Sequence, residues 1–253
     1  MQLDNKFIVM GLSVALGLAT WLLLIFLADI SSILPPLERF FTLMGGSFGG
    51  YIQFSCYIAF YYGFIEMRRL HSSVSREFEG FHLNLLPDQD QLVLSPAEVA
   101  EVKLSIIDME KRGFKFKVAD FIKKACTQYR NDQSISETLQ VLDVQIENNK
   151  DELEGSLSMV RYLIGSIMSL GFIGTLIGLS KAIGNAHLAK TDEGMPLLTS
   201  FLNVAFDTTM VALILGLILN YFYHRFIEDI DKFYAKSKTY IVDNLISRIY
   251  VAS

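Results

Sequence analysis

The 253-residue chain has little of what a soluble enzyme or a secreted scaffold is built from. Only 19% of its residues are charged, against about 25% in ordinary soluble domains. Its two cysteines, Cys56 in an apolar run and Cys126 in a charged stretch, offer no disulfide framework and no redox or metal motif. The four histidines, His71, His82, His187 and His224, are scattered without metal-ligand spacing. No triad pattern, nucleophile elbow or phosphate loop is present, so no enzyme activity and no cofactor is expected. The modest net charge of −5, and the lack of a dense basic cluster with interleaved aromatics, give a nucleic-acid partner no support. The single tryptophan, Trp21, and Tyr57, Tyr61 and Tyr62 read as packing or interfacial aromatics rather than a binding box. Internal repeats and low-complexity tracts are absent as well.

What the chain does have is hydrophobicity: 51% of residues are apolar and the mean hydropathy is +0.36, the composition of a membrane protein. A bilayer core about 30 Å thick needs roughly 20 apolar residues of helix, and four runs are long enough: 7–28, 41–65, 162–182 and 197–223. The first exceeds the roughly 7 to 15 apolar residues of a secretory signal and lacks a small-residue cleavage site, so it reads as a retained span. Arg68, Arg69 and Arg76 follow the second run, Arg161 precedes the third, and Arg225, Lys232, Lys236 and Lys238 follow the fourth. The opposite flanks carry only Arg39 and Lys190, with Lys181 at a helix end. Because cytoplasmic flanks are enriched in Lys and Arg, both termini are expected in the cytoplasm. The expectation is an all-α, four-span protein. It has an N-terminal transmembrane hairpin (1–66), a helical cytoplasmic domain (67–158), a second transmembrane hairpin (159–223) and a C-terminal cytoplasmic helix (224–253).

The polar segment carries helix-start signals. Ser95, Pro96, Ala97 and Glu98 combine a capping serine, proline at the first helical position and a glutamate three residues after the cap, predicting a helix to about Arg112. A second helix is expected over 118–129, and Ser134 with Glu137 caps a third. No proline follows until Pro196, so that third helix is expected to continue into the third span. Leu139, Leu142, Ile146 and Leu153 keep helical spacing along it, and Ile227, Ile230, Tyr234, Ile241, Leu245 and Ile249 carry an apolar stripe beyond the fourth span. Two long helices are therefore expected to leave the membrane and pack on each other. The stretch 82–94 has no clear pattern, and the glycine-rich 45–50 marks either a tight contact or a loose entry to the second span.

The third run reads "GFIGTLIGLSKAIG" from Gly171 to Gly184. Gly171, Thr175, Gly178 and Ala182 recur every three or four residues and share one helix face, with Gly174 beside them. Ala205, Thr209, Ala212, Gly216 and Asn220 do the same on the fourth run. Close helix packing in lipid is the plain explanation. Asp207, beside Thr208 and Thr209 in an apolar run, adds a second one, because an ionisable group at that depth marks a functional site by default. It is otherwise protonated, or paired with Lys181 or a neighbouring subunit. Positions 207 and 209 lie about 200° apart on a helix, so Asp207 and Thr209 do not both face one pore, and Asp207 shares its face with Asn203.

At these residues the chain resembles the MotA/TolQ/ExbB proton-channel superfamily. Gly171, Gly174, Thr175, Gly178 and Leu179 meet its GxxGTxxGL pattern, and Ala205, Thr208, Thr209, Ala212 and Leu213 meet the A-x-x-T-[ST]-x-x-[AG]-L pattern of the next helix. The resemblance runs from about Ser134 to the C-terminus. It departs from the family in having Met168 where a proline is often found. Its four spans are similar to MotA, and its threonine motifs to ExbB and TolQ. What the resemblance implies is a motor subunit of the bacterial cytoplasmic (inner) membrane. Five copies would surround a dimer of a single-span partner like MotB, TolR or ExbD, whose aspartate carries a proton or a sodium ion. Thr175, Thr209 or Thr208, with Asp207, would belong to the ion path. Gly171, Gly174, Gly178, Ala205, Ala212 and Gly216 would pack around the partner. Proton motive force would drive rotation and mechanical work across the envelope. A non-conducting scaffold that assembles through its small-residue faces is the rival class. A solute transporter would need paired broken helices and repeat symmetry, neither apparent in the sequence.

Overall fold

A computed structural model describes residues 2–31, 35–45, 50–87 and 93–249, and every regular element among them is helical. The α-helices are α1 (Gln2–Ile30), α2 (Pro35–Leu43), α3 (Tyr51–Glu77), α4 (Pro96–Lys111), α5 (Lys117–Asp132), α6 (Ile135–Ser156), α7 (Ser158–Gly184) and α8 (Gly194–Asn244). Short 3-10 turns occupy Phe78–Leu83, Ala186–Lys190 and Ile246–Arg248. The interior of the glycine-rich 45–50 stretch, and 88–92 within 82–94, lie outside the described residues.

Among the described residues, three helical runs are long and apolar enough to cross a membrane: Lys6–Ile30, Ile135–Gly184 and Gly194–Arg248. The second expected span, 41–65, does not form one helix. α2 ends at Leu43, Gly45 turns with φ +98°, and α3 starts at Tyr51. The Tyr57 hydroxyl donates to the Met44 carbonyl at 2.6 Å, which ties the turn to α3. A Cβ on Gly50 would lie 2.6 Å from the Gly45 carbonyl oxygen, so a side chain there has no room. The polarity of α3 has a packing cause: no residue from Ile52 to Met67 is exposed. A helix packed largely against protein tolerates polar groups such as Gln53 and the Tyr57 hydroxyl, both buried here.

The chain divides into two compact units. The first comprises Met1–Arg68 and Leu157–His224. In it α1 packs on α3, where the Thr20 and Tyr61 hydroxyls meet at 2.8 Å, Trp21 lies 5.3 Å from Phe54 and Gly17 sits against Ile58. α3 in turn packs on α7 and α8, with Gly63 against Leu163 and Leu219, and Phe64 edge-on to Phe222. The Tyr223 hydroxyl of α8 accepts two bonds from the Arg161 guanidinium of α7, at 2.7 and 3.0 Å. Large apolar side chains along α1, including Phe7, Leu12, Leu22 and Phe26, remain exposed, as a lipid-facing helix requires.

The second unit comprises Arg69–Ser156 and Arg225–Ser253. α4 opens on the expected capping box: the Ser95 hydroxyl accepts from the Glu98 N–H, and the Glu98 carboxylate accepts from the Ser95 N–H at 2.7 Å. α5 lacks a side-chain cap of its own, and the Glu77 carboxylate accepts its Lys117 N–H at 2.6 Å instead. Its buried face holds Val118, Phe121, Ile122, Ala125, Cys126 and Tyr129. Burial pushes the Cys126 thiol up to about 12, so it is inert at neutral pH. α6 starts where the Ser134 hydroxyl accepts the Glu137 N–H, and it buries Leu142 and Ile146. The expected unbroken helix slips by one residue at Leu157, whose φ of −85° and ψ of −5° remain near helical values. The C-terminal stripe of α8, with Ile230, Phe233, Tyr234 and Ile241, is buried, as is Leu245 just past its end. Tyr234 donates to the Asn149 carbonyl, and Lys150–Asp231 and Lys238–Asp143 pairs tie this stretch to α6.

The capping box gives α4 a pH dependence with a definite sign. The Ser95 N–H, then the Ser95 hydroxyl, hold the Glu98 carboxyl below the ordinary carboxylate range. Its stabilising effect is therefore full above the unfolded value and is lost as pH falls through the folded one. Ser95→Ala should lower thermal stability at pH 7, and Glu98→Gln, which removes the titrating carboxyl, should flatten the acid limb of the stability profile; an unchanged acid limb in Glu98→Gln counts against this role.

Candidate functional site

α7 and α8 lie against each other along the face that carries the glycines. A Cβ on Gly171 would lie 2.5 Å from the Ala212 Cβ, and one on Gly178 would lie 2.6 Å from the Ala205 Cβ and 2.7 Å from the Phe201 carbonyl oxygen. One on Gly174 would overlap the Thr208 side chain. Gly216 is buried against Met168, the residue that stands where the family often has proline. α7 is continuous through that position. The small-residue faces expected to pack around a partner are thus filled by the two helices of this chain itself. Ala205 and Ala212 are 0% and 1% exposed.

This close approach brings Thr175 and Thr209 together. Their hydroxyls are hydrogen-bonded to each other, and both reach the Gly171 and Ala205 carbonyls: Thr175 at 3.3 and 3.2 Å, Thr209 at 3.0 and 3.3 Å. A hydroxyl has one proton and two lone pairs. With one proton shared between the threonines and the other given to a carbonyl, the pair has no donor left and keeps free lone pairs. Such a site accepts from water or a hydronium ion, or coordinates a cation, without carrying charge. Both side chains are half-buried at the edge of the seam. Phe172 and Leu179 on α7, and Phe206 and Leu213 on α8, form an exposed apolar surface one turn to either side.

Thr208 and Asp207 are elsewhere. Thr208 is 1% exposed, lies on Gly174, and donates to the Val204 and Ala205 carbonyls of its own helix. It also lines a cavity of about 190 Å³ with Tyr51, Gly178, Lys181 and Ser200. Asp207 is 6% exposed, and its carboxylate accepts from the Arg39 guanidinium of α2 at 2.7 Å. Neither Lys181 nor the threonine pair reaches it. The structure therefore separates the four expected ion-path residues: Thr175 and Thr209 meet, Thr208 backs the packing, and Asp207 anchors α2. Arg39 is the residue that sequence reasoning missed. The available signal was a buried acid in need of a base, but Arg39, Lys181 and Lys190 all qualified by position. Among the described residues, no three His, Cys, Asp or Glu side chains cluster as a metal site.

Residues 115–238, a segment that contains both threonine patterns, match the model of the MotA/TolQ/ExbB proton channel family. Comparisons with curated proteins and with solved structures give no match.

Two predictions separate packing from electrostatics in this site. Gly178→Ala pushes a methyl into the α8 backbone and should cost about 1–3 kcal/mol. Gly165→Ala, on the same helix with nothing within 4 Å, should be neutral or slightly stabilising. Thermal unfolding in detergent reads both, and equal effects would contradict the tight seam. For the ion pair, Arg39→Gln leaves a buried carboxylate alone, whereas Asp207→Asn leaves an arginine that is half-exposed. The first should destabilise more, near the lower end of the ~3–5 kcal/mol range because of that exposure. The double variant should recover much of the loss, and additive losses would exclude direct pairing.

Proposed function

We propose that the chain is the channel subunit of a MotA/TolQ/ExbB-like motor in a bacterial cytoplasmic membrane. Five copies surround a dimer of a single-span, MotB/TolR/ExbD-like subunit whose aspartate carries a proton, or a sodium ion, past the channel wall. The family match supports a general proton-channel role. The observation that carries the finer reading is the Thr175–Thr209 pair, a neutral, acceptor-rich patch at the edge of an otherwise apolar helix seam. Each charge that crosses supplies roughly 2.3 kcal/mol per 100 mV, and rotation of the pentamer about the dimer converts this into work. No covalent step is required.

In this reading α1, α7, α8 and the α2–α3 traverse make four crossings, with both termini cytoplasmic. That no residue of α3 from Ile52 to Met67 is exposed supports counting it as a crossing despite its polarity. The second unit, rich in capped amphipathic helices and ion pairs, is the cytoplasmic domain. A scaffold assembled through small-residue faces is disfavoured, because those faces are already filled within one chain.

Reconstitution of the chain with a single-span partner in liposomes tests the reading. Ion flux should require both proteins and fall at least about tenfold when both hydroxyls are removed by Thr175→Val with Thr209→Val, since valine keeps the shape and removes the acceptors. Thr208→Val should keep most of the flux. Undiminished flux in the double variant would reject the threonine pair as part of the path.

A further inference from the structure

We infer that the turn between α4 and α5, residues 111–117, is a docking surface for the anionic headgroups of the membrane. It reads Lys-Arg-Gly-Phe-Lys-Phe-Lys, four cations interleaved with two phenylalanines. This is a seven-residue exception to the general lack of basic clusters with aromatics.

The turn is fixed at its base and open at its tip. Gly113 adopts φ +99°, its N–H bonds to the Glu110 carbonyl at 3.0 Å, and the Phe114 N–H bonds to the Met109 carbonyl at 3.3 Å. That closes α4 with a left-handed cap and throws the next side chain outward. On the far side Phe116 packs on Gly80, and the Lys117 N–H bonds to Glu77. Between these anchors Phe114 is 50% exposed, and Lys111, Arg112 and Lys115 are exposed around it.

Charge complementarity identifies the occupant. A cleft of about 330 Å³ joins Gly113–Phe116 to Ser73 and Arg76 of α3, adding a further cation. The acids nearby are engaged: Glu77 caps α5, Asp108 pairs with Lys111 at 3.1 Å, Glu110 pairs with Lys123 at 2.7 Å, and Asp120, which lines a pocket with Lys115 and Lys117, pairs with Lys124 at 3.2 Å and Lys123 at 3.5 Å. Glu79 is the remaining acid at the cleft. Among the described residues no acid pairs with Arg112 or Lys115. Exposed phenylalanine amid lysine and arginine is the pattern of a surface that inserts at the headgroup boundary while its cations meet lipid phosphates. An acidic protein surface would satisfy the cations but leaves the ring without an apolar seat.

The full chain in nanodiscs tests this. Cys56 and Cys126 are buried, so a Phe114→Cys variant takes an environment-sensitive fluorophore at one place. In discs with about 30% phosphatidylglycerol the emission should shift to the blue and brighten at least about twofold relative to pure phosphatidylcholine, and 0.5 M salt should reverse most of it. Arg112→Gln with Lys115→Gln should abolish the lipid dependence, and the same label at Asn131→Cys should show none. Hydrogen exchange over 112–116 in the unlabelled chain should slow in the acidic discs only, which controls for the loss of Phe114. Identical behaviour in both lipids, or lipid dependence that survives the double substitution, overturns the inference and leaves the turn to a protein partner. Partner-dependent flux is read separately, so failure here is distinct from failure of the channel reading.

Discussion

The distance between two helix backbones governs this molecule. α7 and α8 approach so closely that a methyl group has no room at Gly171, Gly174 or Gly178. Only at that separation do threonines on opposite helices share the same two carbonyls and bond to each other. In lipid no hydrophobic gain drives helices together, so fit between small residues and interhelical hydrogen bonds must do so. The threonine pair is thus both a product of the packing and part of what holds it. Its unused lone pairs are what remains after the internal bonds are satisfied, which makes the patch polar without leaving an unsatisfied donor.

A second constraint is the cost of charge in an apolar medium. Asp207 is the acid embedded within the apolar stretch of α8, and it is tolerated because Arg39 reaches it from α2. That pair ties the short helix α2 to α8. α2 carries a cation to the carboxylate, and past its end Gly45 turns with a positive φ. Enclosure of α3 follows the same logic in reverse. With α1 on one side and α7 and α8 on the other, Gln53 is buried, and the hydroxyls of Tyr61 and Tyr57 bond to Thr20 and to the Met44 carbonyl.

Local signals made much of the fold legible in the sequence. The Ser95 capping box, the start of α6 at Ser134 and the apolar stripe from Ile230 to Leu245 depend on neighbours within a few turns, and spacing alone reveals them. The threonines were equally legible, because a glycine four residues before Thr175 and another three residues after it make a helical-face pattern. What stayed hidden depends on contacts distant in sequence. The break in the second traverse rests on Tyr57 holding Met44, and the choice of Arg39 over Lys181 rests on where α2 lies. The small faces were legible as packing faces, but spacing does not say which helix they pack on. Thr208 and Thr209 were ambiguous for the same reason: one residue turns a side chain by about 100°, and only the placement of Gly174 shows which hydroxyl is buried.

The geometry also bears on where the titrating group of a channel must reside. A neutral hydroxyl pair accepts hydrogen bonds but does not offset the several kcal/mol that remain when a cation is stripped of water in a protein interior. A carboxylate does, yet the acid of this helix pair is turned about 200° from Thr209 and is held by Arg39. Moving it to the threonines would abandon that arginine and unwind the contact between α2 and α8. On the proposed reading, the compensating charge therefore comes from a helix outside this chain, approaching the apolar edge beside Phe172, Leu179, Phe206 and Leu213. The threonine pair then acts as a neutral stop along the wall: polar enough to take an ion-bearing carboxylate past it, and too weak to keep the ion once the carboxylate moves on.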